Sequence, residues 1–271
     1  MKSRSQRLRE AAPGFARRRV KHLSQLRFGW NHPKQLVFVF GCQRSGTKML
    51  MRVLDRSPGI RIYHENHASA FSNFRLRSDA VVRALYRLNT APSVIFKPIC
   101  DSQLADGLMK RFPEAHGIWI HRKADDVANS AVHKWGDHQR QVIDSLVAGD
   151  VERWGWRTDR VPPEVVEAIR GVHRADLSSE EGALLFWYLR NAFYFSLGLD
   201  LHPRMRLVRY EDLVLDPAGA FPPIFEHVGV PYEERFLDRV KTTSVGRRAA
   251  PESSPEIRAL CDGLTERLAA A

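Results

Sequence analysis

The chain has 271 residues, 44% of them apolar, which is enough for one large domain or two small ones. No apolar run approaches the ~18–20 residues needed to span a bilayer, and the first residues lack the short apolar core of a secretory leader. The net charge of +11 is concentrated at one end: residues 1–34 carry ten Lys and Arg against Glu10 alone, leaving a body of only +2.

The basic arm, residues 1–34, suits an anionic surface, either nucleic acid or acidic lipid, and equally a solubilising tail. Val20, Leu23, Leu26, Phe28 and Trp30 follow its arginines and point toward peripheral contact with an anionic membrane. An organelle transit peptide has a similar Arg-rich, acid-poor composition. Nucleic acid is disfavoured, because the basic residues are confined to the arm and no nucleic-acid-binding motif follows. Cys42, Cys100 and Cys261 fit no metal-ligand spacing, and three thiols cannot all pair within one chain. A reducing setting, most simply the cytoplasm, is expected.

From residue 35 short apolar strands alternate with helical segments. "QLVFVF" (35–40) leads through "GCQRSG" into a helix ending at Leu54. "IRIYHE" (60–65), "SVIFKP" (93–98) and "HGIWIHR" (116–122) read as further strands, nearly continuous in apolar residues, as a parallel sheet covered on both faces requires. Residues 137–200 offer no strand, and a Ser178-x-x-Glu181 capping box opens a long apolar helix over 177–199. Trp187, Tyr188, Phe193, Tyr194 and Phe195 on that helix are expected in the core. "MRLVRYEDL" (205–213) returns to strand, "DPAGAFPPIFEHVGV" (216–230) reads as a proline-broken helical pair, and a last helix spans 255–268. The expected fold is α/β, a phosphate-loop-like three-layer arrangement with a central, mostly parallel sheet and a helical insertion. Residues 35–271 are read as one domain.

Gly41 and Gly46 keep the G-x-x-x-x-G spacing of a nucleotide-triphosphate loop, but Thr47 and Lys48 reverse the Lys-Ser/Thr order. A strand that turns through glycines into a helix exposes backbone N–H groups and the positive end of the helix dipole, so it holds a phosphate or sulfate. Ser45 and Thr47 add hydroxyls and Arg44 a guanidinium. A nucleotide kinase using ATP and magnesium is one reading of this loop. It also needs metal-binding acids after a strand, and only "RYED" offers them, whereas Arg44, Lys97 and Arg122 bring cations to the strand ends.

"GCQRSGTKML" resembles the 5′-phosphosulfate loop of sulfotransferases that use 3′-phosphoadenosine 5′-phosphosulfate (PAPS). "IHRKADDVANS" resembles that family's 3′-phosphate segment, and "RLVRYEDLVLDP" its Tyr-Glu-Asp-Leu stretch. The wording is most similar to the tyrosylprotein and carbohydrate branches. The resemblance implies PAPS as co-substrate, no metal, and a hydroxyl-bearing acceptor: a glycan, lipid, peptide tyrosine or small natural product. It implies donor contacts from Arg44, Ser45, Gly46, Thr47 and Lys48, and a 3′-phosphate site at Arg122 and Ser130. "SVGRRAAPE" (244–252) is similar to the late loop that closes over the nucleotide, which adds Arg247 and Arg248. It places the base at Glu65, with His64 and His67 as competitors; strand alternation would send His64 and Glu65 to opposite faces. Arg44 and Lys97 are the candidates for stabilising the sulfuryl group and the departing 5′-phosphate. Lys48 stands where the family usually has a small hydroxyl residue, and either donates to the anion or faces solvent. Tyr210, Glu211 and Asp212 are expected to cap the helix that follows them.

Overall fold

The computed structural model describes residues 34–150, 152–238, 240, 246 and 248–271. The basic arm up to residue 33 and Arg247 lie outside the described residues. Five strands, β1 (Gln35–Gly41), β2 (Ile60–Tyr63), β5 (Ser93–Phe96), β6 (His116–His121) and β7 (Met205–Arg209), form one parallel sheet in the order β2-β5-β1-β6-β7. Central β1 is apolar on both faces because both are covered. Phe38 and Phe40 join one core with Phe96, Phe112 and Trp119, while Val37 and Val39 join the other with Leu50, Ile95, Ile118 and Phe225. This is the expected α/β architecture.

The first face carries α4 (Ala124–Trp135), α5 (His138–Ala148), α6 (Pro163–Val172), α7 (Ser179–Ser196) and α10 (Pro255–Ala270). In α7 the Ser178 side chain accepts the Glu181 N–H and the Glu181 carboxylate accepts the Ser178 N–H, so the capping box forms as written. Trp187, Phe193 and Tyr194 are buried and Tyr188 and Phe195 half-buried. The second face carries α1 (Thr47–Leu54) and α9 (Pro217–His227). Here the proline-broken pair is corrected: α9 runs unbroken through Pro222 and Pro223. Burial of Phe221, Ile224 and Phe225 and a cap from Asp216 to the Gly219 N–H outweigh the missing donors. Also unforeseen is a small antiparallel hairpin, β3 (Phe71–Ser72) with β4 (Arg75–Leu76), ahead of α2 (Asp79–Leu88). After β5 a tight helical turn (Ile99–Leu104) leads into α3 (Ala105–Arg111).

The connections from β1 lead first to β2 and β5 on one side and only then to β6 and β7 on the other. The strand order therefore reverses at β1, and the crevice outside its carboxyl end is where an open α/β sheet takes its ligand.

Candidate functional site

The loop that leaves β1 depends on two glycines. Gly41 has φ 135°, and a Cβ there would lie 2.2 Å from the Ile120 carbonyl oxygen of the neighbouring strand. Gly46 has φ 83°, and a Cβ would lie 1.9 Å from the Tyr210 ring. Arg44 between them is also left-handed, at φ 72°. The start of the loop is pinned by Ser102 Oγ, which accepts the Gly41 N–H at 3.0 Å. Where α1 begins, Met49 and Leu50 donate to the Gly46 carbonyl, while the N–H groups of Gly46, Thr47 and Lys48 have no carbonyl partner among the described residues. Ser45 is fully buried, and its Oγ has no hydrogen-bond partner among the described residues. Three open N–H groups at a helix N-terminus and one orphaned buried hydroxyl fit a tetrahedral anion. Thr47 is buried beside them, and Lys48 is exposed.

On the β6 side, buried Arg122 forms an ion pair with Asp126 at 3.0 Å and lies 4.6 Å from the Tyr210 ring centroid. Its carbonyl accepts the Trp187 indole N–H at 2.8 Å, which ties it to the long buried helix. Arg44 Nε donates to Ser130 Oγ at 2.9 Å, and Arg122 Nη1 donates to the Arg44 carbonyl at 3.5 Å. Arg44, Arg122 and Ser130 thus form one cluster. Burial, and then the charge of Arg122, pull the Arg44 guanidinium below its ordinary value, a cost that an anion between the two would relieve. Arg248 donates to the Asn129 carbonyl at 3.3 Å, and Asn129 Nδ2 returns a bond to the Ala249 carbonyl at 3.0 Å. The late segment therefore docks on α4 one residue from Ser130.

On the β5 side, Lys97 is buried at the strand end and pairs with the Glu65 carboxylate from the end of β2. Cys100 Sγ lies 3.9 Å from Glu65 Oε1 and 3.9 Å from Gln43 Nε2, bridging this pair to the loop. Gln43 and Cys100 escape sequence reasoning, since neither residue type carries a positional signal there. Arg44, the other cation expected to stabilise the sulfuryl group and the departing phosphate, turns to Ser130.

Strand β2 stops at Tyr63, so alternation does not govern His64 and Glu65. They lie in a turn in which the His64 N–H donates to His67 Nδ1 at 3.1 Å. Burial first, then the charges of Lys97 and His67, hold the His64 ring down at about 4.

The Tyr-Glu-Asp stretch is not part of β7 but opens α8 (Tyr210–Leu215). The Tyr210 ring fills the space beside Gly46 and faces Arg122. Buried Glu211 accepts the Lys123 N–H at 3.0 Å, so it caps α4 rather than its own helix. Asp212 is exposed.

No family model and no curated protein matches the sequence. Among solved structures, the chain is similar to the sulfotransferase domain of the Synechococcus PCC 7002 olefin synthase. That match has 16% identity and a TM-score of 0.52, and covers 86% of this chain and 95% of that one. It is also similar to the sulfotransferase domain of the curacin biosynthetic pathway, with 13% identity, a TM-score of 0.52, and 87% and 99% coverage. The backbone, built around an anion-shaped loop at the sheet's reversal point, has the fold of these sulfotransferase domains.

Proposed function

We propose that the chain is a sulfotransferase that moves a sulfuryl group from PAPS to the hydroxyl of an acceptor. The observation that carries this reading is the pairing of two anion sites. One is the loop with its open N–H groups and orphaned Ser45 hydroxyl. The other is the Arg44–Arg122–Ser130 cluster next to it. A donor with a 5′-phosphosulfate and a 3′-phosphate needs two such sites, whereas ATP has no 3′-phosphate to fill the second. The loop wording keeps the tyrosylprotein and carbohydrate branches as the nearest resemblance.

Glu65 takes the proton of the acceptor hydroxyl as the new O–S bond forms and the S–O bond to the 5′-phosphate breaks. Lys97 holds the carboxylate in place and puts an ammonium beside the charge growing on the departing phosphate. Gly46, Thr47, Lys48 and Ser45 hold the 5′ end of the donor, while Arg122, Ser130 and Arg248 hold its 3′-phosphate. A peripheral membrane contact through the basic arm is part of the same proposal, with the acceptor as the partner.

Thermal denaturation with 3′-phosphoadenosine 5′-phosphate, against ATP with magnesium, tests the donor. A ligand at ~100 times its Kd adds ~2.7 kcal/mol, which raises the midpoint by roughly 5–10 °C at this size. The expected result is a shift with the bisphosphate alone, lost in Arg44→Ala and in Arg122→Ala. A shift with ATP alone sinks the sulfotransferase and restores the kinase.

A further inference from the structure

Among the described residues, two guanidinium groups outside the proposed donor contacts are in no ion pair with a carboxylate. Arg190 of α7 is fully buried, and its bonds go only to neutral acceptors: Gln103 Oε1 at 3.3 Å and the Ile99 carbonyl at 3.2 Å. Its Nε has no hydrogen-bond partner among the described residues. Half-buried Arg157 lies 4.5 Å from the centroid of the Trp156 indole, and Arg190 lies 5.2 Å from the same ring. The chain kinks at Gly155 (φ 52°, ψ −125°), and the segment beyond it packs on the turn Ile99–Leu104, where Arg160 also bonds the Gln103 carbonyl.

The nearby acids are each held in an ion pair by another cation, and only the Asp101 charge reaches Arg190 without an ion pair. Glu65 is taken by Lys97, and Asp101 by Arg75 and the Leu76 N–H. Burial pushes the Cys42 and Cys100 thiols up to about 12, so both stay protonated and neutral. No carboxylate among the described residues forms an ion pair with Arg157 or Arg190. A buried cation without an anion is costly, and the cost is met when a ligand brings the anion.

The cluster sits on the turn that also pins the start of the loop through Ser102, but on the side away from the proposed 3′-phosphate contacts. The turn Ile99–Leu104 follows β5, on the β2–β5 side where Glu65 and Lys97 stand, whereas Arg44, Arg122 and Ser130 lie on the β6 side of the loop. We infer that Trp156, Arg157 and Arg190 form the anion-binding part of the acceptor site, so that the acceptor carries a carboxylate, phosphate or sulfate besides its reacting hydroxyl. Arg157, the more accessible cation, makes the contact, and Arg190 supports it from beneath. The inference rests on the sulfotransferase reading and names its acceptor class.

Calorimetry on the full chain saturated with 3′-phosphoadenosine 5′-phosphate tests it with a matched pair: 4-hydroxyphenylacetate and its neutral alcohol analogue, 4-hydroxyphenylethanol. Charge-assisted contact predicts about 10- to 100-fold tighter binding of the carboxylate. Arg157→Gln erases that preference and leaves nucleotide affinity unchanged, while Arg157→Lys keeps part of it. Equal behaviour of the two ligands, including no binding of either, overturns the inference. Weaker nucleotide binding in Arg157→Gln assigns the cluster to the donor and overturns it too, but leaves the sulfotransferase standing. If the wild-type chain binds no nucleotide, the sulfotransferase reading fails first and takes the inference with it.

Discussion

Lys97 and Glu65 are each other's partner before any substrate arrives, and this governs how their substitution will read out. On the mechanism proposed above, Glu65→Gln removes the proton acceptor and lowers turnover by about 10²–10⁴. Lys97→Met removes a charge from the transition state and costs about 10²–10³, but it also releases the carboxylate that the lysine positions. The two losses therefore overlap, and the double variant is expected to fall well short of their product. Turnover at saturating donor in a double-mutant cycle measures this, and full multiplicativity would mean that the pair does not act as a unit. In the sequence Glu65 is singled out by the family resemblance and Lys97 by its place just past an apolar strand, where an α/β sheet keeps its chemistry. Their pairing cannot be read there, and neither can the Arg44–Ser130 bond or the Cys100 bridge. Those contacts depend on strand order, which sequence spacing does not encode.

At the scale of elements, the strands were legible because a doubly covered parallel sheet writes itself as short, unbroken apolar runs. The β3–β4 hairpin was not: two-residue strands carry no periodicity, and Asn73-Phe74 lacks the glycine that marks a tight hairpin turn. Glu211 was misassigned for a related reason, since a carboxylate at the end of β7 can reach either its own helix or the start of α4. The glycine loop was legible in outline, and the structure separates the work of its two glycines. At Gly41 a methyl group meets a neighbouring strand's carbonyl, which is backbone and cannot step aside. Gly41→Ala should therefore lower the folding midpoint, by ~2–4 kcal/mol of stability on the scale of overpacking plus a strained φ. At Gly46 the obstacle is the Tyr210 ring, a side chain that can swing, but it swings away from Arg122. Gly46→Ala should thus lose the midpoint response to 3′-phosphoadenosine 5′-phosphate at a smaller loss of intrinsic stability. Denaturation with and without the nucleotide separates the two; equal effects in both measurements would contradict the division.

The described residues form two cores pressed on either face of one sheet, with the candidate site at the carboxyl ends of the strands and buried histidines at both ends of the sheet. His227 on α9 donates from Nε2 to the Gly117 carbonyl at 2.9 Å, and His116 Nδ1 lies 2.9 Å from the His227 carbonyl, fastening α9 to the start of β6. Burial is the main reason that the rings of His121 and His227 are held down at about 4, as it is for His64 at the site. In the unfolded chain these imidazoles titrate near 6.5. Between about pH 6.5 and 4 the unfolded state therefore binds more protons than the folded one, and stability must fall as pH falls through that window. Above it the contribution is complete and flat. Thermal midpoints at pH 7.5, 6 and 5 in a high-salt buffer, which mutes surface charge, should decline progressively. His227→Gln retains a donor for the Gly117 carbonyl but has nothing to protonate, so its decline should be shallower than that of the parent chain. A midpoint that stays constant or rises on acidification, or a variant that follows the parent in full, would show that these rings are not held neutral by the fold.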